Sequence, residues 1–190
     1  MSTASARLII GISGASGIVY GVRLLEKLRD FPVETHLIVS KAGQQTRGYE
    51  TNLTAKELAA LADVVHAAED IGASISSGSC PTLGMIIAPC SMRSLAEIAN
   101  GTTSNLLTRA ADVILKERKK LVLMTRESPL HLGHLRNMVQ ATELGAIIAP
   151  PMPAFYQKPE SLDDIIDHSV GRVLDLFDLN PSWVKRWKTP

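Results

Sequence analysis

The chain has 190 residues, a length that suits one domain built around one core. Hydrophobic residues make up 45% and charged residues 21%, so the composition excludes disorder as the main state. Lys and Arg total 20 against 19 for Asp and Glu, so no broad field of one sign exists to attract nucleic acid or an anionic membrane.

Short β-branched runs alternate along the chain with longer segments of helical periodicity. Strands are predicted at residues 8–12, 34–40, 84–88, 121–125 and 146–148. Helices are predicted at residues 19–28, 54–62, 106–119, 134–144 and 161–177, with capping-box patterns at 54–57 and 94–97. Strands separated by helices imply right-handed crossovers and a parallel sheet. We therefore predict a single α/β domain over residues 1–190, with a core at about 7–177 and a tail at 178–190.

Two features of the sequence concern the compartment. The two cysteines, Cys80 and Cys90, cannot form a disulfide framework. The apolar run in the opening segment MSTASARLIIG is too short for a signal peptide. No apolar stretch approaches the ~20 residues needed to cross a bilayer. We expect a cytoplasmic protein with no membrane span and no nucleic-acid partner.

The turn after the first strand is the first candidate site. Gly11, Gly14 and Gly17 recur every third residue, with Ser13 and Ser16 between them. Glycines let backbone N–H groups approach an anion, and the next helix presents its positive end. The spacing matches neither G-x-G-x-x-G nor a P-loop, which favours a mononucleotide phosphate or a small phosphate ester. The alternative is a tight turn that serves packing.

Other strand ends offer polar groups as well. Ser40, Ser91, Ser94 and Arg126 follow the second, third and fourth predicted strands. Singly each could be a helix cap, but together they indicate a pocket at the carboxyl edge of the sheet.

Charged residues give a third group of candidates. Arg109, Lys116, Arg126 and Arg172 could together hold a phosphate dianion, although each alone suits a solvated helix face. Glu127 directly follows Arg126 and is a candidate proton carrier if partly buried.

The remaining reactive or aromatic residues are interpreted as structural. His131 and His134 lack companion ligands for a metal, and Cys90 has no base beside it in sequence and suggests a buried thiol. Trp183 and Trp187 are expected to pack against the body or a neighbouring subunit.

Several motifs, in one order over nearly the whole chain, resemble the flavin prenyltransferase family, the UbiX type. They are GISGASG (11–17), SKAGQQT (40–46), YET (49–51), SISSGS (74–79), PCSMRSLAEIA (89–99), LLTRAADVILKERKKLVLMTRESPLHLGHLRNM (106–138), PPMPAFYQKPESLDDII (150–166) and RVLDLF (172–177). One departure is the HLGHLR segment at 131–136, where other members carry a different loop.

The resemblance implies a flavodoxin-like or Rossmann-like, doubly wound domain that assembles into a dodecamer. It implies a metal-independent reaction that joins the dimethylallyl group of dimethylallyl monophosphate to N5 and C6 of reduced FMN. The product, prenylated FMN, is the cofactor of UbiD-type decarboxylases, which act in ubiquinone synthesis and aromatic acid metabolism.

The resemblance also implies site residues, some of which would serve the flavin of a neighbouring subunit. Cofactor binding falls to Gly14, Ala15, Ser16, Ser40, Ser91, Met92, Arg93, Ser94, Arg126 and Trp187. Binding of the prenyl phosphate falls to Arg109, Lys116, Arg126, Tyr156 and Arg172. Catalytic candidates are Ser16, Glu50 and Glu127, and the base could also be the released phosphate. No metal site is expected.

Two alternatives stay open. One is an FMN-dependent cysteine decarboxylase, which is related in fold but uses a His base and a PxMNxxM-type segment; this chain has Pro150-Pro-Met-Pro-Ala-Phe-Tyr156 where a substrate segment is expected. The other is a non-catalytic FMN carrier, which explains the glycine turn but not a second phosphate-binding set.

Overall fold

The computed structural model describes residues 6–184 and 186–187, and its centre is a parallel sheet of six strands. The strands are β1 (Ala6–Ile12), β2 (Val33–Val39), β3 (Val64–His66), β4 (Gly84–Cys90), β5 (Lys120–Thr125) and β6 (Ala146–Ile148). Their order across the sheet is β3-β2-β1-β4-β5-β6. This is the doubly wound Rossmann order, and without the short edge strand β3 it is the flavodoxin order.

Helices cover both faces of this sheet. They are α1 (Ile18–Leu28), α2 (Lys41–Glu50), α3 (Ala55–Ala59), α4 (Met92–Ala99), α5 (Leu106–Lys116), α6 (Leu132–Glu143) and α7 (Leu162–Asp175). Two 3₁₀ turns, Ser74–Ser76 and Phe155–Gln157, interrupt the loops that precede β4 and α7.

The core consists of two apolar layers because successive strand side chains point to opposite faces. Leu8 and Ile10 of β1 pack in the layer that α1 and α7 cover, whereas Ile9 packs in the layer under α4 and α5. All three side chains are at most 1% exposed. The helices α5 and α7 therefore lie on opposite faces of the sheet.

The chain changes its direction of travel across the sheet between β1 and β4. Gly11 of β1 pairs with Ile38 of β2 on one side and with Ile87 of β4 on the other. Loops leaving β1 and β4 diverge to opposite faces, which opens a crevice at their carboxyl ends.

Some local predictions were wrong. Ser94 does not cap a helix, because α4 begins earlier with Ser91 as its N-cap. The helix predicted to reach residue 119 ends at Lys116, where Arg118 adopts a left-handed conformation (φ 56°). Backbone N–H groups of Arg118 and Lys119 then bond to the carbonyls of Leu115 and Ile114, which closes a Schellman motif.

Two elements were not predicted, the helix α2 and the strand β3. The strand β4 also continues through Pro89 to Cys90 instead of ending at the proline. Across residues 6–184 and 186–187, no helix combines the length and the apolar character needed to cross a membrane.

Candidate functional site

Ser13 holds β1 and β4 together at the crevice. Its hydroxyl donates to the carbonyl of Pro89 (3.0 Å) and accepts from the backbone N–H of Ser91 (2.8 Å). The residue is 1% exposed, so both bonds are shielded from water. Ser13 thus fixes the start of the β4–α4 loop against the glycine-rich turn.

Glu50 closes the N-terminus of α1. Its Oε2 accepts from the backbone N–H groups of Gly17 (2.9 Å) and Ile18 (3.1 Å). Gly17 has a φ of 106°, a conformation that favours glycine. The sequence predicts that backbone amides of this turn bind a phosphate. In the structure, the amides of Gly17 and Ile18 bind a carboxylate of the same chain instead.

The environment of Glu50 keeps its side chain ionised. Burial opposes the charge, but hydrogen bonds from Ser16, Gly17 and Ile18 and the nearby charge of Arg126 outweigh it. The pKa of Glu50 therefore lies below its ordinary value. The structure brings Ser16, Glu50 and Arg126 together at this turn.

A cleft of about 220 Å³ lies beside the turn, where the N-termini of α2, α4 and α5 converge. Ser40 caps α2 by accepting from Gly43 (3.0 Å), and Ser91 caps α4 by accepting from Ser94 (3.2 Å). Three helix dipoles and several hydroxyls thus face one space. The lining residues include Gly14, Ser40, Lys41, Ala42, Ser91, Arg93, Ser94, Ser104 and Asn105.

Two features shape this cleft further. A Cβ at Gly14 would lie 2.3 Å from the Cβ of Ala42, so only glycine lets the turn approach α2 this closely. Glu97 also lines the cleft, but it accepts from Arg93 (2.9 Å) and from Ser104 (2.6 Å). Small residues and hydroxyl donors of this kind fit a mononucleotide phosphate such as that of FMN.

Arg126 and Glu127 lie at the end of β5, at the same edge of the sheet. The backbone N–H of Arg126 donates to the carbonyl of Cys90 (3.2 Å), and its side chain is exposed. The positive charge of Arg126 opposes the rise that burial causes in the pKa of Tyr20. The exposed Glu127 accepts from the backbone N–H of Ser128 (3.0 Å).

A separate polar and aromatic cluster forms where the loop before α7 meets that helix and the tail. The phenol oxygen of Tyr156 lies 3.4 Å from Nε2 of His168, and the ring of Trp187 stands edge-on to Tyr156 with centroids 5.1 Å apart. Arg172 is one helical turn after His168 and donates to Asp175 (2.5 Å). Three of these residues were predicted from sequence; His168 and Asp175 were not.

Arg109 and Lys116 lie elsewhere. Both belong to α5, where Arg109 pairs with Asp112 (2.7 Å) and Lys116 pairs with Glu117. Since α5 and α7 cover opposite faces, one protomer does not bring these cations to Tyr156 and Arg172. The predicted set for the second phosphate is thus divided into two groups.

The structural interpretations of Cys90 and His131 are confirmed. Cys90 is fully buried, and desolvation raises the pKa of its thiol to about 12. Nδ1 of His131 accepts from the backbone N–H of Gly133 (3.0 Å) and so caps α6. Within the described ranges, no three His, Cys, Asp or Glu side chains gather as metal ligands do.

Comparisons with known proteins agree with this geometry. The family model described as Flavoprotein matches residues 2–174. Flavin prenyltransferase UbiX of Salmonella typhimurium is 62% identical over 174 residues, which cover 91% of this chain and 92% of that protein.

Solved structures extend the comparison to the fold. The crystal structure of AnUbiX (PadA1) in complex with FMN and dimethylallyl pyrophosphate matches with a TM-score of 0.95 at 49% identity, covering 97% of this chain and 98% of the other. A dodecameric FMN-dependent UbiX-like decarboxylase from Escherichia coli O157:H7 matches with a TM-score of 0.93 at 50% identity, covering 96% and 100%.

More distant proteins share the fold alone. The FMN-dependent cysteine decarboxylase TvaF matches with a TM-score of 0.62 at 17% identity, covering 88% of this chain and 99% of the other. The high identity to UbiX over nearly the full length separates this chain from the cysteine decarboxylases. The chain belongs to the Flavoprotein family and, within it, to the UbiX-type flavin prenyltransferases.

Proposed function

We propose that this protein joins the dimethylallyl group of dimethylallyl monophosphate to N5 and C6 of reduced FMN. The supporting observation is that one chain holds two separate groups of residues whose chemistry suits an anion. One is the cleft where three helix N-termini meet, and the other is the cluster of Tyr156 and Arg172. A reaction between two phosphorylated compounds needs two such groups, whereas an FMN carrier needs only one.

The cleft would hold FMN by its phosphate. Ser40, Ser91 and Ser94 supply hydroxyl donors, and Lys41 and Arg93 add positive charge at the rim. Gly14 also lines the cleft, and Ala15, Ser16, Met92 and Arg126 would contact the rest of the cofactor. When bound, reduced FMN supplies the electron-rich nitrogen and carbon that accept the prenyl group.

Tyr156 and Arg172 would hold the prenyl phosphate. The reaction breaks the allylic C–O bond, and phosphate leaves with the electron pair, so negative charge grows on its oxygens. Fixed donors lower the free energy of that state without reorganising, and removal of one donor commonly costs ~10²–10³ in rate. Arg109 and Lys116 would join them from a neighbouring subunit, and Trp187 would close over the site.

Ser16, Glu50 and Glu127 are the proposed catalytic residues. Glu50 is held as a carboxylate, with Ser16 as one hydrogen-bond donor, and so counters positive charge near the reacting carbon. Glu127 is exposed beside Arg126. The proton displaced from the flavin passes to Glu127, to Glu50 or to the released phosphate.

The assembly and partners follow from the same proposal. The protein forms a homo-dodecamer, and prenylated FMN passes to a UbiD-type decarboxylase. We also propose a cytoplasmic location, where Cys80 and Cys90, both free and buried, stay reduced.

Mass spectrometry of the bound flavin tests the reaction. FMN-loaded protein is reduced without oxygen and given dimethylallyl monophosphate or, separately, the diphosphate. The flavin is expected to gain one five-carbon prenyl unit with the monophosphate. If the protein is folded and the FMN mass is unchanged with either compound, the proposed transferase activity is rejected and an FMN carrier is favoured.

A further inference from the structure

His168 lies between the two residues proposed to hold the prenyl phosphate. It is one helical turn before Arg172 on α7, so the two side chains share a face of that helix. Its Nε2 is 3.4 Å from the phenol oxygen of Tyr156, and the two rings meet edge to face at 89°. His168 and Arg172 also line the same cleft of about 220 Å³, beside Met124 and Ala149.

The direction of this hydrogen bond decides what Tyr156 can do. A phenol has one proton, so it can donate either to His168 or to an anion, but not to both. If Nε2 of His168 carries a hydrogen, the imidazole donates to the phenol oxygen. The hydroxyl hydrogen of Tyr156 can then point to the phosphate.

We infer that His168 is a positioning residue for the prenyl phosphate, and that it acts by donating from Nε2 to the phenol oxygen of Tyr156. This inference deepens the proposed function and rests on it. His168 touches neither reacting atom in this scheme. It orients the one donor of Tyr156 towards the anion that Arg172 also binds.

The surroundings of His168 favour a neutral imidazole ring, which exists in two tautomers. Burial and the nearby charge of Arg172 lower the pKa of His168, although Asp175 opposes this. A neutral imidazole adds no charge to the site and carries one N–H. When Tyr156 donates its hydroxyl hydrogen to the bound anion, its oxygen is left to accept, and this favours the tautomer with the hydrogen on Nε2. The separation of 3.4 Å is long for a hydrogen bond, and such contacts often shorten when the ligand binds.

A double-mutant cycle tests the inference. The variants are His168→Ala, His168→Gln, Tyr156→Phe and the double variant His168→Ala/Tyr156→Phe. Glutamine is the matched control, because its side-chain amide can place an N–H near the position of Nε2. Two quantities are measured for each variant: the affinity of FMN-loaded protein for dimethylallyl monophosphate by calorimetry, and kcat/KM for product formation.

The expected result is a loss that depends on Tyr156. His168→Ala should weaken affinity for dimethylallyl monophosphate roughly 2- to 10-fold, the usual range for one hydrogen bond. His168→Gln should restore most of that loss, and His168→Ala should have no further effect in the Tyr156→Phe background. FMN affinity should stay the same in all variants.

Two results would overturn the inference. One is an equal loss from His168→Ala with and without the Tyr156 hydroxyl, because that means a general packing role. The other is unchanged or tighter binding in His168→Ala, because Tyr156 would then have been donating to the histidine. Absence of product from the unsubstituted protein, with the binding cycle intact, would reject only the proposed reaction.

Discussion

Glu50 has a structural role at the start of α1 and a proposed chemical role at the candidate site. Its carboxylate accepts two backbone N–H groups at the start of α1, while Ser16 and Arg126 bring it to the candidate site. An anion at a helix N-terminus also gains from the helix dipole. The same bonds that suit Glu50 to stabilise positive charge keep it a weak base at neutral pH.

Substitution of Glu50 by Gln should reduce stability in a pH-dependent way. Its folded pKa is below the ordinary value of 4.5, so its stabilising contribution is complete above that value. The contribution disappears as pH falls through the folded pKa. At pH 7 the variant should lose about 1 kcal/mol, or about 2–4 °C in Tm.

Thermal unfolding of both proteins at pH 7 and near pH 3 checks this expectation. The difference in Tm should be present at pH 7 and should shrink near pH 3. A difference that is the same at both values would mean that the charge of Glu50 does not stabilise α1.

At the scale of elements, the start of α4 has two tasks. Ser91 caps the helix and also lines the cleft proposed for the FMN phosphate. Ser91→Ala should therefore weaken FMN binding about tenfold or more, since hydrogen bonds to charged groups are the stronger kind. Stability of the FMN-free protein should also fall by about 1 kcal/mol.

Ser161→Ala is the matched control for that substitution. Ser161 caps α7 in a capping box with Asp164, and it is not among the residues that line the cleft. Its loss should lower stability by a similar amount and leave FMN affinity unchanged. Fluorescence titration with FMN measures the affinities. Equal losses of affinity in the two variants would contradict the assignment of Ser91.

The end of α7 ties the tail to the helix. Asp175 has a side chain that is 10% exposed, and it accepts from Arg172 (2.5 Å) and through both oxygens from Arg186 (2.7 and 2.9 Å). Trp187 follows directly. Asp175→Asn should loosen this segment, quicken tryptic cleavage after Arg186 and raise the KM for prenyl phosphate roughly 2- to 10-fold.

Asp178→Asn offers a control for the charge change. Asp178 pairs with Lys120 at a side-chain exposure of 87%, where an ion pair adds little. That variant should keep the cleavage rate and the KM of the parent protein. If both substitutions behave alike, the tie between Asp175 and Arg186 does not hold the tail.

The elements that the sequence could predict are those with a clear apolar period. β1, β5 and α7 alternate or repeat apolar residues as their packing requires, and each was located within a few residues. By contrast, α2 buries only Gly43 and has no apolar face to detect. The edge strand β3 is three residues long and half-exposed, so it left too short a pattern.

At the scale of the whole molecule, candidate site residues could be named from the sequence, but how they group in space could not. Ser40, Ser91 and Arg126 could be assigned to one edge because parallel strands end together. Arg109 and Arg172 looked equivalent in sequence, but their helices cover opposite faces. His168 was missed because a single histidine within an apolar helical period carries no signal of its partner Tyr156.

The residues predicted to bind the prenyl phosphate lie in two groups, one on α5 and one at α7, and this bears on the assembly. In the proposed dodecamer every surface is repeated, so α5 of one subunit can face the α7 cluster of another. A site built in this way needs Lys116 from one copy and Arg172 from its neighbour. An oligomer made only of Lys116→Ala subunits, or only of Arg172→Ala subunits, would then not be active. Each of its subunits would still keep one of the two cations.

Mixed oligomers test whether the site is shared. Lys116→Ala and Arg172→Ala subunits, each carrying a different affinity tag, are co-expressed in equal amounts, and oligomers bearing both tags are purified. If each site draws on two copies, random mixing should restore activity to about a quarter of the parent value, because that share of sites receives both intact residues. If each site draws on one copy only, every site lacks one cation, and prenylated flavin should stay at the level of the two separate variants. Mass spectrometry of the bound flavin distinguishes the two outcomes, and the second would reject a site shared between two copies.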